Sequence, residues 1–248
     1  MKIGAQFFTI RDFCKNPDDL AESLKKVADI GYKTVQISGT CAYEPEWLKN
    51  QLEKNGLSCV LTHIAPDKLI LDAASVAKDH DVFGCKYIGL GYFGFGAEQE
   101  STDDFVGRFG HVGKTLKENG KYFMYHNHDQ EFKKENGKPI LDVLAEKIPA
   151  DEMGFTLDTF WVQAGGGDPA QWLEKLKGRV PCIHLKDFAY GKKMAVIGEG
   201  NINFDRVFEK AESSGTEYLM VEQDDCYGED PFDCLKRSYK YLHSLGFE

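Results

Sequence analysis

The chain predicts a single-domain (β/α)8 barrel, an α/β fold covering residues 1–248, and three observations carry that expectation. Eight short apolar or β-branched runs alternate with eight helix-like segments, a unit recurring roughly every thirty residues as βα units do. Several runs are apolar almost throughout, as strands covered on both faces must be. Glycine follows nearly every helical segment just before the next run, at the position where a helix ends in a left-handed turn.

The expected strands are Lys2 to Phe7, Thr34 to Ile37, Ser58 to Thr62, Tyr87 to Leu90, Tyr122 to Tyr125, Gly154 to Leu157, Cys182 to Leu185 and Tyr218 to Val221. The first helix has both ends marked. Asn16 is a candidate N-cap, Pro17 occupies the first helical position, Asp18 and Asp19 favour the positive end of the helix dipole, Leu20, Leu24, Val27 and Ala28 form one stripe, and Gly31 stops it. The remaining helices are expected from Glu44 to Lys54, Leu69 to Phe83, Thr102 to Glu118, Pro139 to Lys147, Pro169 to Lys177, Phe204 to Ser213 and Pro231 to Leu245. Gly91 to Ser101 and Asp187 to Asn203 are the two longest connections after strands and are expected to be flexible. An open doubly wound sheet is disfavoured, because the turn after the first strand, Phe8-Thr9-Ile10-Arg11-Asp12, lacks a Gly-x-Gly-x-x-Gly phosphate cradle.

Composition narrows the function classes. Hydrophobic residues make up 42% and aromatics 12%, enough for one large core. The formal charge of -10 repels phosphate backbones and anionic lipid, so neither nucleic acid nor a membrane is an expected partner. The amino-terminal run is broken by polar groups before a signal-peptide core is reached, and no uninterrupted span suits a bilayer. Seven cysteines, an odd number without a Cys-x-x-Cys pair, read as reduced thiols, in keeping with a cytoplasmic protein.

The chemistry sits at strand ends. In a parallel barrel every carboxyl end opens on one face, so Asp158, His184 and Glu222, each at or one beyond the end of its run, are expected to converge. Glu131, a few residues past the fifth run, is the fourth candidate. Three carboxylates and one imidazole suit a divalent cation with open positions, Mn²⁺ first, with Mg²⁺, Co²⁺ or Zn²⁺ as alternatives. Such an ion chelates the carbonyl and hydroxyl of a keto-sugar and stabilises the enediolate formed when the C–H proton leaves. Glu131 and Glu222 are then candidate acid–base groups, joined by His63 at the end of the third run and Lys186 two residues past His184. Substrate contacts are expected from His126, His128, Trp161, Phe8 and Glu199, the last in a Gly198-Glu199-Gly200 loop suited to closing over a ligand. Each has a plainer alternative: packing for the aromatics, a rim hydrogen bond for the histidines, a salt bridge for Lys186, a surface turn for Glu199.

Several segments, Gly4-Ala5-Gln6-Phe7-Phe8-Thr9-Ile10-Arg11-Asp12, Tyr125-His126-Asn127-His128 with Glu131-Phe132, Asp158-Thr159-Phe160-Trp161 with Gly167-Asp168-Pro169, His184-Leu185-Lys186-Asp187 and Gly198-Glu199-Gly200, together resemble motifs of the sugar phosphate isomerase/epimerase family. That family belongs to the xylose isomerase-like TIM barrel superfamily. The resemblance implies a metal-dependent sugar isomerase or epimerase with Glu131, Asp158, His184 and Glu222 as ligands. It differs from the free-ketose epimerases, whose first ligand ends strand five, where this chain has His126-Asn127-His128. That difference gives weight to a lyase or dehydratase acting on a keto-inositol or 3-keto-glycoside. A non-catalytic sugar-binding protein is the alternative from another class. Endonuclease IV, also of the superfamily, is disfavoured by the acidic charge and by few histidines near strand ends. The expected partner is a small carbohydrate, and a homodimer is a compatible assembly.

Overall fold

A computed structural model describes residues 1–96 and 98–248; Ala97, in the expected flexible connection, lies outside the described residues. Eight parallel strands close a barrel: β1 (Lys2–Gln6), β2 (Thr34–Ile37), β3 (Ser58–His63), β4 (Tyr87–Leu90), β5 (Tyr122–His126), β6 (Met153–Asp158), β7 (Cys182–Leu185) and β8 (Tyr218–Val221). Each pairs with its sequence neighbours, and β1 pairs with β8 through Ile3 opposite Leu219 and Ala5 opposite Val221, which closes the ring.

The helices between strands are α1 (Pro17–Ile30), α2 (Pro45–Asn55), α3 (Pro66–Val82), α4 (Thr102–Glu118), α5 (Ile140–Lys147), α6 (Thr159–Ala164), α7 (Pro169–Lys175), α8 (Phe204–Ser214) and α9 (Pro231–Ser244). Asn16 caps α1 as its sequence predicts, Oδ1 accepting from the Asp19 amide at 3.0 Å. Helix α6 was not expected. It is a single short element started by Asp158, whose Oδ1 accepts from the Trp161 amide at 2.9 Å, and six residues are too few to show a periodic stripe.

Alternation along the strands sorts the side chains into layers. Residues of one parity face outward under the helices; the other parity fills the barrel, with Tyr87, Met124, Cys182 and Met220 among the lower residues. Gly4 has a specific packing reason: a Cβ there would stand 2.5 Å from the Met220 methyl, so glycine makes room for methionine inside the barrel. One step further along each inward row come Gln6, Gln36, His63, His126, Asp158, His184 and Glu222, all at the carboxyl end.

Both long connections are anchored. Phe93 and Phe95 are buried and pack with Phe105 of α4, and Phe95 meets Tyr125 of β5 edge to face at 6.3 Å. In the loop after β7, the buried carboxylate of Asp187 accepts hydrogen bonds from the amides of Phe188 (2.8 Å), Gly198 (3.0 Å), Gly200 (2.8 Å) and Ile202 (3.2 Å). The sequence expectation of flexibility rested on glycine content and length; one buried carboxylate here organises the glycine-rich loop. Among the described residues, no helix is long and apolar enough to cross a membrane.

Candidate metal centre

His126, Asp158, His184 and Glu222 each present one donor atom, and these atoms lie within 4.8 Å of one another, all four residues buried. The last inward position of β5, β6 and β7 supplies the first three, and the position just beyond β8 supplies Glu222. Their neighbours fix the orientation of each. His126 Nδ1 donates to the Gly91 carbonyl at 3.1 Å, which leaves Nε2 as a lone pair facing Asp158 Oδ2 at 3.2 Å. His184 Nε2 donates to Gln36 Oε1 at 2.7 Å and turns Nδ1 inward. Gln6 Nε2 donates to Glu222 Oε1 at 2.6 Å, aiming Oε2 at the same point. His184 Nδ1 and Glu222 Oε2 are 2.8 Å apart yet are not aligned as a hydrogen bond, and each is buried without a hydrogen-bond partner.

These are the features expected of metal ligands. Lone pairs face carboxylate oxygens, an arrangement that repels unless a cation lies between. Burial keeps both imidazoles uncharged, depressing His126 well below the usual histidine range and His184 to about 3. The supporting hydrogen bonds from Gly91, Gln36 and Gln6 are the outer contacts that orient metal ligands. The donor set of two imidazoles and two carboxylates fits a divalent transition ion.

Lys186 completes the charge pattern. Its ammonium donates to Asp224 Oδ2 at 2.9 Å and stands 2.9 Å from Glu222 Oε2 and 3.1 Å from Asp158 Oδ2. Burial opposes the charge, but the three carboxylates outweigh it and raise the lysine well above its ordinary value. One ammonium among three carboxylates leaves two negative charges, the complement of a divalent cation. Asp224 itself is pushed up to about 6, by burial first and then by Glu222.

Glu131 stands outside the four. In a short 3₁₀ turn past β5 its carboxylate points away from the barrel axis, accepting from the Tyr125 hydroxyl, from Gln130 Nε2 at 3.1 Å and from the His128 amide at 2.8 Å. His126 takes its place in the set. Strand alternation no longer governs direction beyond the strand end, where Glu131 lies, whereas it does place His126 inward.

A cavity of about 430 Å³ opens above the cluster, lined among others by Phe8, His63, Tyr92, His128, Lys186 and Asp224. His63 Nδ1 pairs with Ser38 Oγ at 3.0 Å, while its Nε2 is buried and unpaired. The His128 ring lies against Trp161 at 5.3 Å, and Trp161 Nε1 lacks a partner. Phe8 is covered on one face by the Arg11 guanidinium at 4.3 Å. Glu199 is not brought to the cavity: both its oxygens accept from Arg237 on α9, each at 2.9 Å. Gln6 and Gln36 were not singled out by sequence reasoning, which reads Asp224 only as part of an acidic segment beyond strand eight that disfavours a phosphorylated sugar. For the two glutamines the signal was available, since they end the inward rows of β1 and β2.

The model of the xylose isomerase-like TIM barrel family matches residues 24–244, and the chain belongs to that family. No curated protein matches it. Among solved structures, a sugar phosphate isomerase/epimerase from Parabacteroides distasonis is 23% identical with a TM-score of 0.83, covering 98% of this chain and 93% of that one. The probable 3-DHS dehydratase AsbF from Bacillus anthracis is 17% identical with a TM-score of 0.74, covering 98% and 99%. The protein IOLI, whose structure holds a zinc atom, is 14% identical with a TM-score of 0.74, covering 99% and 98%. Likeness at these identities establishes the shared fold.

Proposed function

We propose that this protein is a divalent-cation-dependent isomerase or epimerase of a keto-sugar or sugar derivative, working through an enediolate. The observation that carries the reading is the convergence of His126 Nε2, Asp158 Oδ2, His184 Nδ1 and Glu222 Oε2 on one buried point beneath an open cavity. A divalent cation held by these four would polarise a substrate carbonyl and its neighbouring hydroxyl and stabilise the negative charge of proton loss. Mn²⁺ is the first candidate; the zinc in IOLI keeps Zn²⁺ beside Mg²⁺ and Co²⁺.

The chain's own residues supply proton movement and positioning. His63, with Nδ1 engaged by Ser38 and Nε2 free, is placed to take a proton from carbon. Lys186, held as an ammonium by three carboxylates, is placed to give one to oxygen. Glu222 has one oxygen fixed by Gln6 and can share the base role. His128, backed by the Trp161 ring, forms one wall, and Phe8 offers a ring face to the apolar side of a sugar.

A second reading, a lyase expelling a β-substituent, is favoured by the position of Glu131. With that carboxylate engaged by Tyr125 and His128, no second glutamate stands opposite Glu222, and an unlike pair, His63 and Lys186, remains. Elimination needs one base and one acid rather than two like bases. The test is metal analysis followed by proton–deuterium exchange on a panel of keto-sugars in heavy water. Exchange with conserved product mass supports isomerisation, and exchange with loss of water or an aglycone supports the lyase. Asp158→Asn and Glu222→Gln should abolish both metal retention and exchange while remaining folded. Sugar affinity without exchange on any member would sink the enzymatic reading in favour of a binding protein.

A further inference from the structure

We propose that the site takes an unphosphorylated, polyhydroxylated substrate and that Asp224 is the side chain that selects it; this rests on the enzymatic reading above and names its substrate class. In (β/α)8 barrels a phosphate group is commonly held by backbone amides of the loops after strands seven and eight, together with a helix amino terminus. In this chain several of those amides are already occupied by its own side chains. The Asp187 carboxylate takes four of them in the loop after β7, those of Phe188, Gly198, Gly200 and Ile202. Asn203 Oδ1 accepts from the Arg206 amide at the start of α8, and Asp230 Oδ1 accepts from the Phe232 and Asp233 amides at the start of α9. The carboxylate at 187 thus takes four amides of this loop that an external anion would otherwise need.

The basic side chains are committed as well. Lys186 is shared among three carboxylates. Arg11, at the rim, donates through one nitrogen to the carbonyls of Phe8 (2.8 Å) and Asp224 (3.0 Å) while stacking on the Phe8 ring. Lys193 lies over the Tyr227 ring at 5.3 Å and is not part of the cavity wall. Once a divalent cation complements the carboxylates, Lys186 has no charge left over for a phosphate dianion, and Arg11 is held at the rim by the two carbonyls and the Phe8 ring.

Asp224 supplies the positive half of the selection. It lines the cavity with Oδ2 fixed by Lys186, while Oδ1 is buried and has no hydrogen-bond partner. A hydroxyl of a neutral sugar can donate to that oxygen, whereas a phosphate dianion brings only acceptors and is repelled.

The test pairs neutral keto-sugars and keto-glycosides with their phosphate monoesters on the cation-loaded protein. The neutral member of each productive pair should have a kcat/KM about 100-fold or more higher, since an unpaired buried acceptor discriminates strongly. Asp224→Asn should raise KM for the neutral substrate and narrow that ratio about tenfold, because the amide removes the repulsion and can present a donor. Inorganic phosphate should leave the Tm of the parent protein unchanged. A preferred phosphate ester, a ratio unmoved in Asp224→Asn, or stabilisation by inorganic phosphate would overturn the proposal. Failure of every sugar to exchange would instead refute the enzymatic reading on which it rests.

Discussion

Replacing Glu131 by glutamine separates a ligand from a structural anchor. The carboxylate is fully buried and accepts three hydrogen bonds, from the Tyr125 hydroxyl, the Gln130 amide and the His128 backbone, that hold the turn carrying His128 against β5. Glutamine keeps the shape but removes the charge and turns one acceptor into a donor. Hydrogen bonds to a charged group contribute about 1.5–3 kcal/mol each and neutral ones about 0.5–1.5, so three bonds weakened by roughly 1 kcal/mol apiece predict a loss of about 3 kcal/mol. For a chain of this length that corresponds to a fall in Tm of roughly 6 °C. Glu131→Gln should nevertheless retain its divalent cation, because His126, Asp158, His184 and Glu222 are untouched. The assay is thermal unfolding followed by circular dichroism, with elemental analysis of the same samples. Loss of bound metal at an unchanged Tm would refute the reasoning and return Glu131 to the ligand set.

Lys186→Met removes the ammonium shared by Asp158, Glu222 and Asp224, and breaking such a buried group costs on the order of 3–5 kcal/mol. In chelator the Tm should therefore drop by roughly 6–10 °C, and added divalent cation should raise it by more than in the parent; an unchanged Tm in chelator would disprove the charge balance. His80 donates from Nδ1 to the Val76 carbonyl and pairs through Nε2 with Thr62, and burial depresses it to about 4 from an ordinary 6.5. A depressed histidine stabilises the fold fully above pH 6.5 and loses that contribution as pH falls toward 4, about 3 kcal/mol in all. Urea unfolding of His80→Gln should show a pH 7 to pH 4 decline smaller than the parent's by that amount, and equal declines would contradict it. Glu199→Gln loosens a surface pair with Arg237 and should cost less than about 1 kcal/mol, with kcat/KM within about twofold of the parent; a much larger loss of activity would place Glu199 over the cavity after all.

The barrel was legible because its rhythm is written in short apolar runs and in marked helix ends such as Asn16, Pro17 and Gly31. Helix α4 falls at its expected bounds, since Ser101 and Asp104 form a capping box recognisable by type and spacing. The positions of Asp158, His184 and Glu222 at one mouth follow from parallel strands alone. What periodicity does not encode is direction beyond a strand end: three residues of 3₁₀ turn rotate Glu131 outward, and only the partners Tyr125 and Gln130 reveal it. Asp187 was equally silent, because a carboxylate beside a glycine-rich loop has the same sequence appearance whether it is solvated or holds four amides.

Strand β5 carries Tyr125 and His126 back to back, the phenol in a nest of Phe95 and Phe105 and the imidazole over the carboxylates. Sliding β5 by a single residue would exchange them, hiding the imidazole among the rings and presenting a phenol to the carboxylates. The outer aromatics thus act as a detent for the inner chemistry. Substitutions in that outer layer therefore reach the inner cluster through the register of β5.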